Sequence, residues 1–238
     1  MTLTTCPRPA LRAVAFDLGD TLVEYEGLPP SWENLYPAAL EQLARYVGRP
    51  AAEHQIQNAC AVLKCHNTRL NPRTNEVDFS TILGELLNAF GAKFQGNIED
   101  AATAFFSVFR QRLRCFPDAC ERLQSLRQSG VRIGVLTDVP YAMPRRLVLE
   151  DMEAAGVLGL VDEVVTSVDA GVRKPSPAGL ALLASRLNVR PSEIIFVGNE
   201  KKDIEVGIAF GCEAVLLDRN HVVPDWKQHR TITTLAEL

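Results

Sequence analysis

Asp17, Thr137, Lys174, Asn199 and Asp203 stand where chemistry would need them in this 238-residue chain. The apolar run "RAVAFD" (12–17) ends in a carboxylate, and "VRIGVLT" (131–137) ends in a hydroxyl. "VDEVVTS" (161–167) leads into "GVRKPSP", which carries Lys174. "EIIFVGN" (193–199) ends in an amide, with Glu200 and Asp203 close behind. Short apolar runs of this kind read as buried strands. In an open parallel sheet, ligands sit beyond the carboxyl ends of the strands. A carboxylate, a hydroxyl, a lysine and a metal-capable amide and carboxylate group would therefore meet at one edge. Each alone is weak, because a strand-end aspartate is often a cap and a lone lysine is usually solvated. The ordered set is hard to explain as chance.

The elements that must position these residues follow from the pattern around them. A further strand is expected at "EAVLLD" (213–218), and helical segments separate the later runs. "PRRLVLEDMEAAG" ends on Gly156, "SPAGLALLASRLNV" starts at Ser176 as a cap with Pro177 in the first turn, and "KDIEVGIAFG" ends on Gly211. Strands alternating with helices predict an α/β fold, a Rossmann-like parallel sheet with helices on both faces. The stretch from 24 to 115 differs. "SWENLYPAALEQLARYVG", "PAAEHQIQNACAVLKCHN", "DFSTILGELLNAFG" and "NIEDAATAFFSVFRQRL" all read as amphipathic helices. Leu83, Leu86, Leu87 and Phe90 fall at helical spacing and read as core. The expected organisation is a discontinuous core, 1–23 and 116–238, with an all-helical unit inserted at 24–115. Within the insert, "RLNPRTNEVD" (69–78) is the expected exposed loop.

Composition narrows the setting. The chain is 47% hydrophobic and 23% charged, which suits a globular protein with a real core. A formal net charge of −4 argues against non-specific nucleic-acid binding. No apolar run approaches the roughly 18 residues that a membrane-spanning helix needs. The first residues lack the apolar core of a signal peptide. A cytoplasmic protein is expected, with no nucleic-acid or membrane partner and its oligomeric state open. Six cysteines lie at 6, 60, 65, 115, 120 and 212. The pairs 60/65 and 115/120 have a spacing that invites a zinc reading, but "IQNACAVLKCHN" around the first pair reads as helix, where positions five apart do not share a face. Reduced thiols are the expectation.

The motifs together resemble those of the haloacid dehalogenase-like hydrolase superfamily, over nearly the whole chain. "FDLGDTL" is similar to its first motif, "VLTD" to its second, Lys174 of "RKPSP" to its third, and "VGNEKKD" to its fourth. The resemblance implies a helical cap inserted after the first motif and covalent catalysis through an aspartate, in most members on phosphate esters with Mg²⁺. Asp17 would be the nucleophile. Thr137 would donate to a phosphoryl oxygen, and Lys174 would neutralise Asp17 and the phosphoryl charge. Mg²⁺ would be held by the Asp17 carboxylate, the Gly19 carbonyl and the Asn199 side chain. Asp203 would hold either a metal-bound water or Lys174. Backbone N–H groups around Leu18 and Asp138 would cradle phosphate. Glu24 and Tyr25, near the entrance, would meet a polar part of a small phosphorylated substrate. The cap would also offer Arg110, Arg112 and Arg114 in "RQRLRC", at most one or two of which can face the site if this stretch is helical.

Two departures qualify the resemblance. Family phosphatases usually carry an acid two residues after the nucleophile, where this chain has Gly19. Their fourth motif usually opens with Asp, where this chain has Asn199. Asp20 either replaces the missing acid or simply fits the turn. The same departures suit a metal-independent dehalogenase, although "GDT" lacks the aromatic–Gly pair of those enzymes and no halide-binding arginine stands out. A third reading is a phosphate-ligand binding protein that has lost catalysis. Retention of Asp17, Thr137, Lys174 and Asp203 together speaks against full decay.

Overall fold

The structure, a computed structural model, describes residues 10–27, 31–110, 113–222 and 224–238. Its first strand, β1 (Ala13–Phe16), is buried along its whole length. A short strand β2 (Val23–Tyr25) follows, then the helices α1 (Tyr36–Tyr46), α2 (Glu53–His66), α3 (Phe79–Phe90) and α4 (Ile98–Phe106). The chain returns through β3 (Leu113–Cys115) to α5 (Pro117–Gln128) and β4 (Arg132–Thr137). After it come α6 (Arg145–Ala154), β5 (Glu163–Thr166), the single turn α7 (Ser167–Ala170) and α8 (Ala178–Arg186). The chain closes with β6 (Ile194–Gly198), α9 (Lys201–Phe210), β7 (Glu213–Leu217) and β8 (Arg230–Ile232).

Six strands form one sheet in the order β5-β4-β1-β6-β7-β8, parallel throughout. The period-two alternation of a strand explains how both faces are buried. Val14 and Phe16 of β1 pack on one side with Leu123 and Leu147. Ala13 and Ala15 pack on the other with Leu180, Leu183 and Val206. The α/β class and the expected strands are therefore as read from the apolar runs. From β1 the order runs outward through β4 and β5 in one direction and through β6, β7 and β8 in the other. The crevice at this switch point lies at the carboxyl ends of β1 and its neighbours.

The insert is helical, but its ends are not. Val23–Tyr25 and Leu113–Cys115 pair antiparallel, so the chain enters and leaves the insert through a two-stranded ribbon. Glu24 stands opposite Arg114, and the two form a 2.6 Å ion pair across it. The fourth insert helix stops at Phe106 instead of running on to Leu113, which belongs to the ribbon. Arg114 is spent on Glu24 and Glu26, Arg110 pairs with Asp151 and Glu150, and Arg112 lies outside the described residues. The insert and the sheet share one apolar cluster. Trp32 stacks on Phe109 at 4.6 Å, and Tyr141 of the sheet side meets Tyr36 through their hydroxyls.

Two expectations are corrected. Cys115 and Cys120 form a disulfide, not reduced thiols. Cys115 ends a strand and Cys120 lies in the first turns of α5, so the strand-to-helix corner brings together two sulfurs that a continuous helix would separate. Ser176 is not the cap of α8. Pro177 occupies that position, and Ser176 Oγ only approaches the Ala178 N–H at 3.5 Å.

Candidate active site

Lys174 is the centre of the site. Its ammonium donates to Asp17 Oδ1 at 2.5 Å and to Asp203 Oδ1 at 2.6 Å. All three groups are buried. Asp17 is placed by β1, whose register carries it just past the sheet. Its N–H still donates to Val197 O at 2.9 Å. Asp203 sits in the first turn of α9, where its Oδ2 accepts the Glu200 N–H at 2.9 Å. Both Asp203 oxygens are thus engaged, and of the two roles expected for it the geometry fills the holding of Lys174. Gly211 ends α9 at φ 83°, a left-handed conformation that glycine adopts without strain.

The charges explain the protonation states. Burial disfavours the Lys174 ammonium, but Asp17 and Asp203 outweigh it, so its pKa is raised and the lysine stays charged. Burial pushes the Asp17 carboxyl up to about 7, against the pull of Lys174 and with the repulsion of Asp203. An ionised Asp17 is therefore strained in the free protein and gains from any further positive charge.

Thr137 ends β4 beside Asp17, and its hydroxyl makes no hydrogen bond with a described residue. It is free to donate outward. The backbone N–H groups of Leu18 and Asp138 likewise have no protein acceptor among the described residues. Asp138 itself accepts the Lys174 N–H at 3.1 Å and faces Lys202 at 3.6 Å. The arrangement offers converging N–H and O–H donors and a cation around the Asp17 carboxylate, which suits a tetrahedral oxyanion.

The departures in the first motif have a structural counterpart. A Cβ added at Gly19 would lie 3.9 Å from the ring edge of Tyr25, so the space beside position 19 is bounded by that ring and still admits a side chain. Burial raises the Tyr25 hydroxyl, which stays protonated within the electrostatic reach of Asp17 and Asp20. Asp20 takes a left-handed φ of 57°, a conformation aspartate tolerates better than most residues. Partial burial and the nearby Glu200 raise its pKa. Glu24 is held by Arg114 in the ribbon.

Among the described residues no three His, Cys, Asp or Glu side chains gather for a metal. The available donors are mixed oxygens. Asp17 Oδ2 has no protein partner among the described residues, and Asn199 Oδ1 accepts only the Thr21 hydroxyl at 3.2 Å. With the Gly19 carbonyl they fit a hard cation that keeps several waters. Sequence reasoning missed Thr21, which anchors Asn199 from within the first motif. It also missed Arg69, an insert cation with no ion-pair partner among the described residues, whose charge bears on Asp20 and Glu200. Gly198 was also missed. A Cβ there would collide with Asp203, so the strand can end beside the site only as glycine.

A family model described as haloacid dehalogenase-like hydrolase matches residues 11–211. The chain belongs to this family. It is a hydrolase of α/β fold with a helical insert after the first motif. It is 27% identical over 217 residues to a phosphoglycolate phosphatase of Salmonella typhi, covering 86% of this chain and 80% of that one. A ribulose-1,5-bisphosphate 5-phosphatase of Halopiger xanaduensis is 32% identical over 129 residues, 54% of this chain, which spans about half (52%) of that relative's length. A solved HAD phosphatase from Thermococcus onnurineus superposes with a TM-score of 0.62 at 23% identity over 95% of both chains. An L-2-haloacid dehalogenase superposes at 0.58 and 18% identity over 96% of both. At these identities the structural likenesses speak for the fold, which phosphatases and dehalogenases share.

Two outcomes follow from the site. Gly198→Ala should displace Asp203 and loosen Lys174, and a shift of about 1 Å in such a site costs on the order of 10²-fold in rate. Steady-state turnover of the folded variant measures this, and unchanged turnover would mean Asp203 does not set the lysine. The second concerns stability without metal. Asp17 has a folded pKa of about 7 against a reference of 3.8, so its contribution is fully present below about 3.8 and lost as pH rises through 7. Above pH 7 the buried carboxylate is a burden, which Asp17→Asn removes. In chelator, the variant should melt higher than wild type at pH 8, by about 2–4 °C per kcal/mol relieved, with little gain at pH 4. A gain that is larger at pH 4 would contradict the raised pKa.

Proposed function

We propose that the enzyme is a Mg²⁺-dependent phosphatase acting on a small phosphorylated metabolite through an aspartyl-phosphate at Asp17. The single observation that carries the reading is the buried Asp17–Lys174–Asp203 triad facing unfilled donors at Thr137, Leu18 and Asp138. The two curated relatives named above, both phosphatases, support the same class. The Asp17 carboxylate attacks phosphorus, and the bond to the leaving oxygen breaks in line. Lys174 and the N–H groups of Leu18 and Asp138 take the negative charge of the transferring group, and Thr137 donates to one of its oxygens. Water then attacks the phosphorus of the aspartyl-phosphate and frees the carboxylate. Asp17, Gly19 and Asn199 would hold Mg²⁺, whose charge would lower the Asp17 pKa and favour its attacking form. The leaving oxygen has no carboxylic acid at position 19. Asp20, the next residue in the chain and raised in pKa, would substitute for that acid only in part. The same reading takes the enzyme to work in the cytoplasm.

The missing acid also suits dehalogenation, in which halide departs without a proton. A leaving-group series decides between the two. Aryl phosphates should turn over with Mg²⁺ and stop in excess chelator. Alkyl phosphates should be slower than the leaving-group trend of an acid-equipped enzyme allows, by up to the 10²–10⁴-fold that general acid catalysis typically supplies. Gly19→Asp should recover part of that loss. Halide release from 2-haloacids in chelator, with no phosphate release, would overturn the phosphatase reading.

A further inference from the structure

The insert's loop at 69–78 is mostly exposed, as its polar sequence suggests, but the Glu76 side chain is only 2% exposed. Its carboxylate accepts from Ser167 Oγ at 2.6 Å, from Arg73 Nη2 at 3.0 Å and from Arg173 Nη1. The backbone of the same loop is docked on the sheet side. Glu76 N–H donates to Gly171 O at 3.0 Å, Arg173 N–H donates to Thr74 O at 2.7 Å, and Asn75 bridges antiparallel to Val172. Arg173 is itself buried, and its Nη2 reaches Thr68 Oγ1 of the insert at 3.4 Å.

A buried charge cluster is a poor way to glue two units, since apolar residues of similar volume often hold as well or better. What distinguishes this cluster is where its second bonds go. Ser167 Oγ, which donates to Glu76, accepts the Val139 N–H at 3.1 Å. Arg173 Nη1, which donates to Glu76, also donates to Val139 O at 2.8 Å. Both backbone polar groups of Val139 are thus held by side chains that Glu76 fixes. Val139 follows Thr137 and Asp138 directly, and Arg173 precedes Lys174, whose own N–H is pinned on Asp138. One insert carboxylate therefore braces both loops that face Asp17.

We infer that Glu76 is a positioning residue that completes the phosphate site: by fixing Ser167 and Arg173 it sets the 137–139 backbone and the Lys174 loop, so the site is whole only while the insert loop is docked. This rests on the phosphatase reading and deepens it. It makes docking of the insert a requirement for binding the phosphoryl group itself, not only for choosing the rest of the substrate.

The test uses the full chain and inorganic phosphate as a competitive inhibitor of aryl phosphate turnover. Glu76→Gln keeps the shape but not the charge, and Glu76→Ala removes both. Each should weaken phosphate inhibition about tenfold and lower kcat by on the order of 10–10²-fold. The Mg²⁺ concentration for half activity should stay within about twofold, because Asp17, Gly19 and Asn199 are not tied to this loop. A merely structural Glu76 would lower the melting temperature and leave phosphate inhibition and kcat of the folded enzyme unchanged, and that result overturns the inference. If the Glu76 variants do not fold, Ser167→Ala, which deletes one hydroxyl of the brace, decides alone. It should weaken phosphate inhibition severalfold, and an unchanged value overturns the proposal. If wild type hydrolyses no phosphate ester, the proposed function has failed separately. Amide hydrogen exchange then tests the brace: Ser167→Ala should speed exchange at 137–139 and 171–174, and unchanged exchange there overturns it.

Discussion

One ammonium group between two carboxylates governs this site. Lys174 is buried with Asp17 and Asp203, and three charged groups out of water leave a net negative charge that no other described group neutralises at hydrogen-bond range. Removing Lys174 would leave two buried carboxylates uncompensated and removing Asp203 would leave the Glu200 N–H unpaired, both expensive, whereas Asp17 carries the surplus charge. The arrangement therefore persists because the surrounding elements force it: β1 delivers Asp17, the loop before α8 delivers Lys174, and α9 delivers Asp203. Even the glycine at the end of β6 is explained by this demand, since Asp203 occupies the place of its side chain. A site with surplus negative charge and unfilled donors beyond it is organised for a ligand that brings both a cation and an oxyanion.

The topology makes that convergence possible. Strand order reverses beside β1, so loops from β1, β4, β5 and β6 all open on one crevice. The insert is attached there through the two-stranded ribbon and touches the sheet side at further points. One contact is aromatic, through Tyr36, Phe109 and Tyr141, and others are ionic, through Glu76 with Arg173 and Arg110 with Asp151. These attachments make the insert a part of the site's wall.

The buried strands were legible because each is a short apolar run ending in a chemically distinct residue, and the order of Asp17, Thr137, Lys174 and Asn199 carried the family. The ribbon was not. Its two strands are three residues each, mix polar and apolar side chains, and exist only through pairing at a sequence separation of 90. For the same reason the helix starting at Ile98 looked longer than it is. The disulfide was not legible because it depends on the corner the chain turns between Cys115 and Cys120, which spacing alone does not show. Glu76 was hidden in a stretch whose composition is that of an exposed loop, and burial of one carboxylate there depends on Ser167 and Arg173, distant in sequence. Asp20 was legible as a turn residue, and its left-handed φ agrees, but its raised pKa comes from burial and from Glu200, which arrives after β6.

The claim on which the rest depends is that Asp17 carries the phosphoryl group in turnover. Acid quench during steady-state hydrolysis of an aryl phosphate, followed by borohydride reduction and peptide mass mapping, measures it directly. An aspartyl-phosphate at Asp17 is reduced to homoserine, and the account expects that residue at position 17 and at no other carboxylate. Reduction at a different position, or none during active turnover, would contradict it.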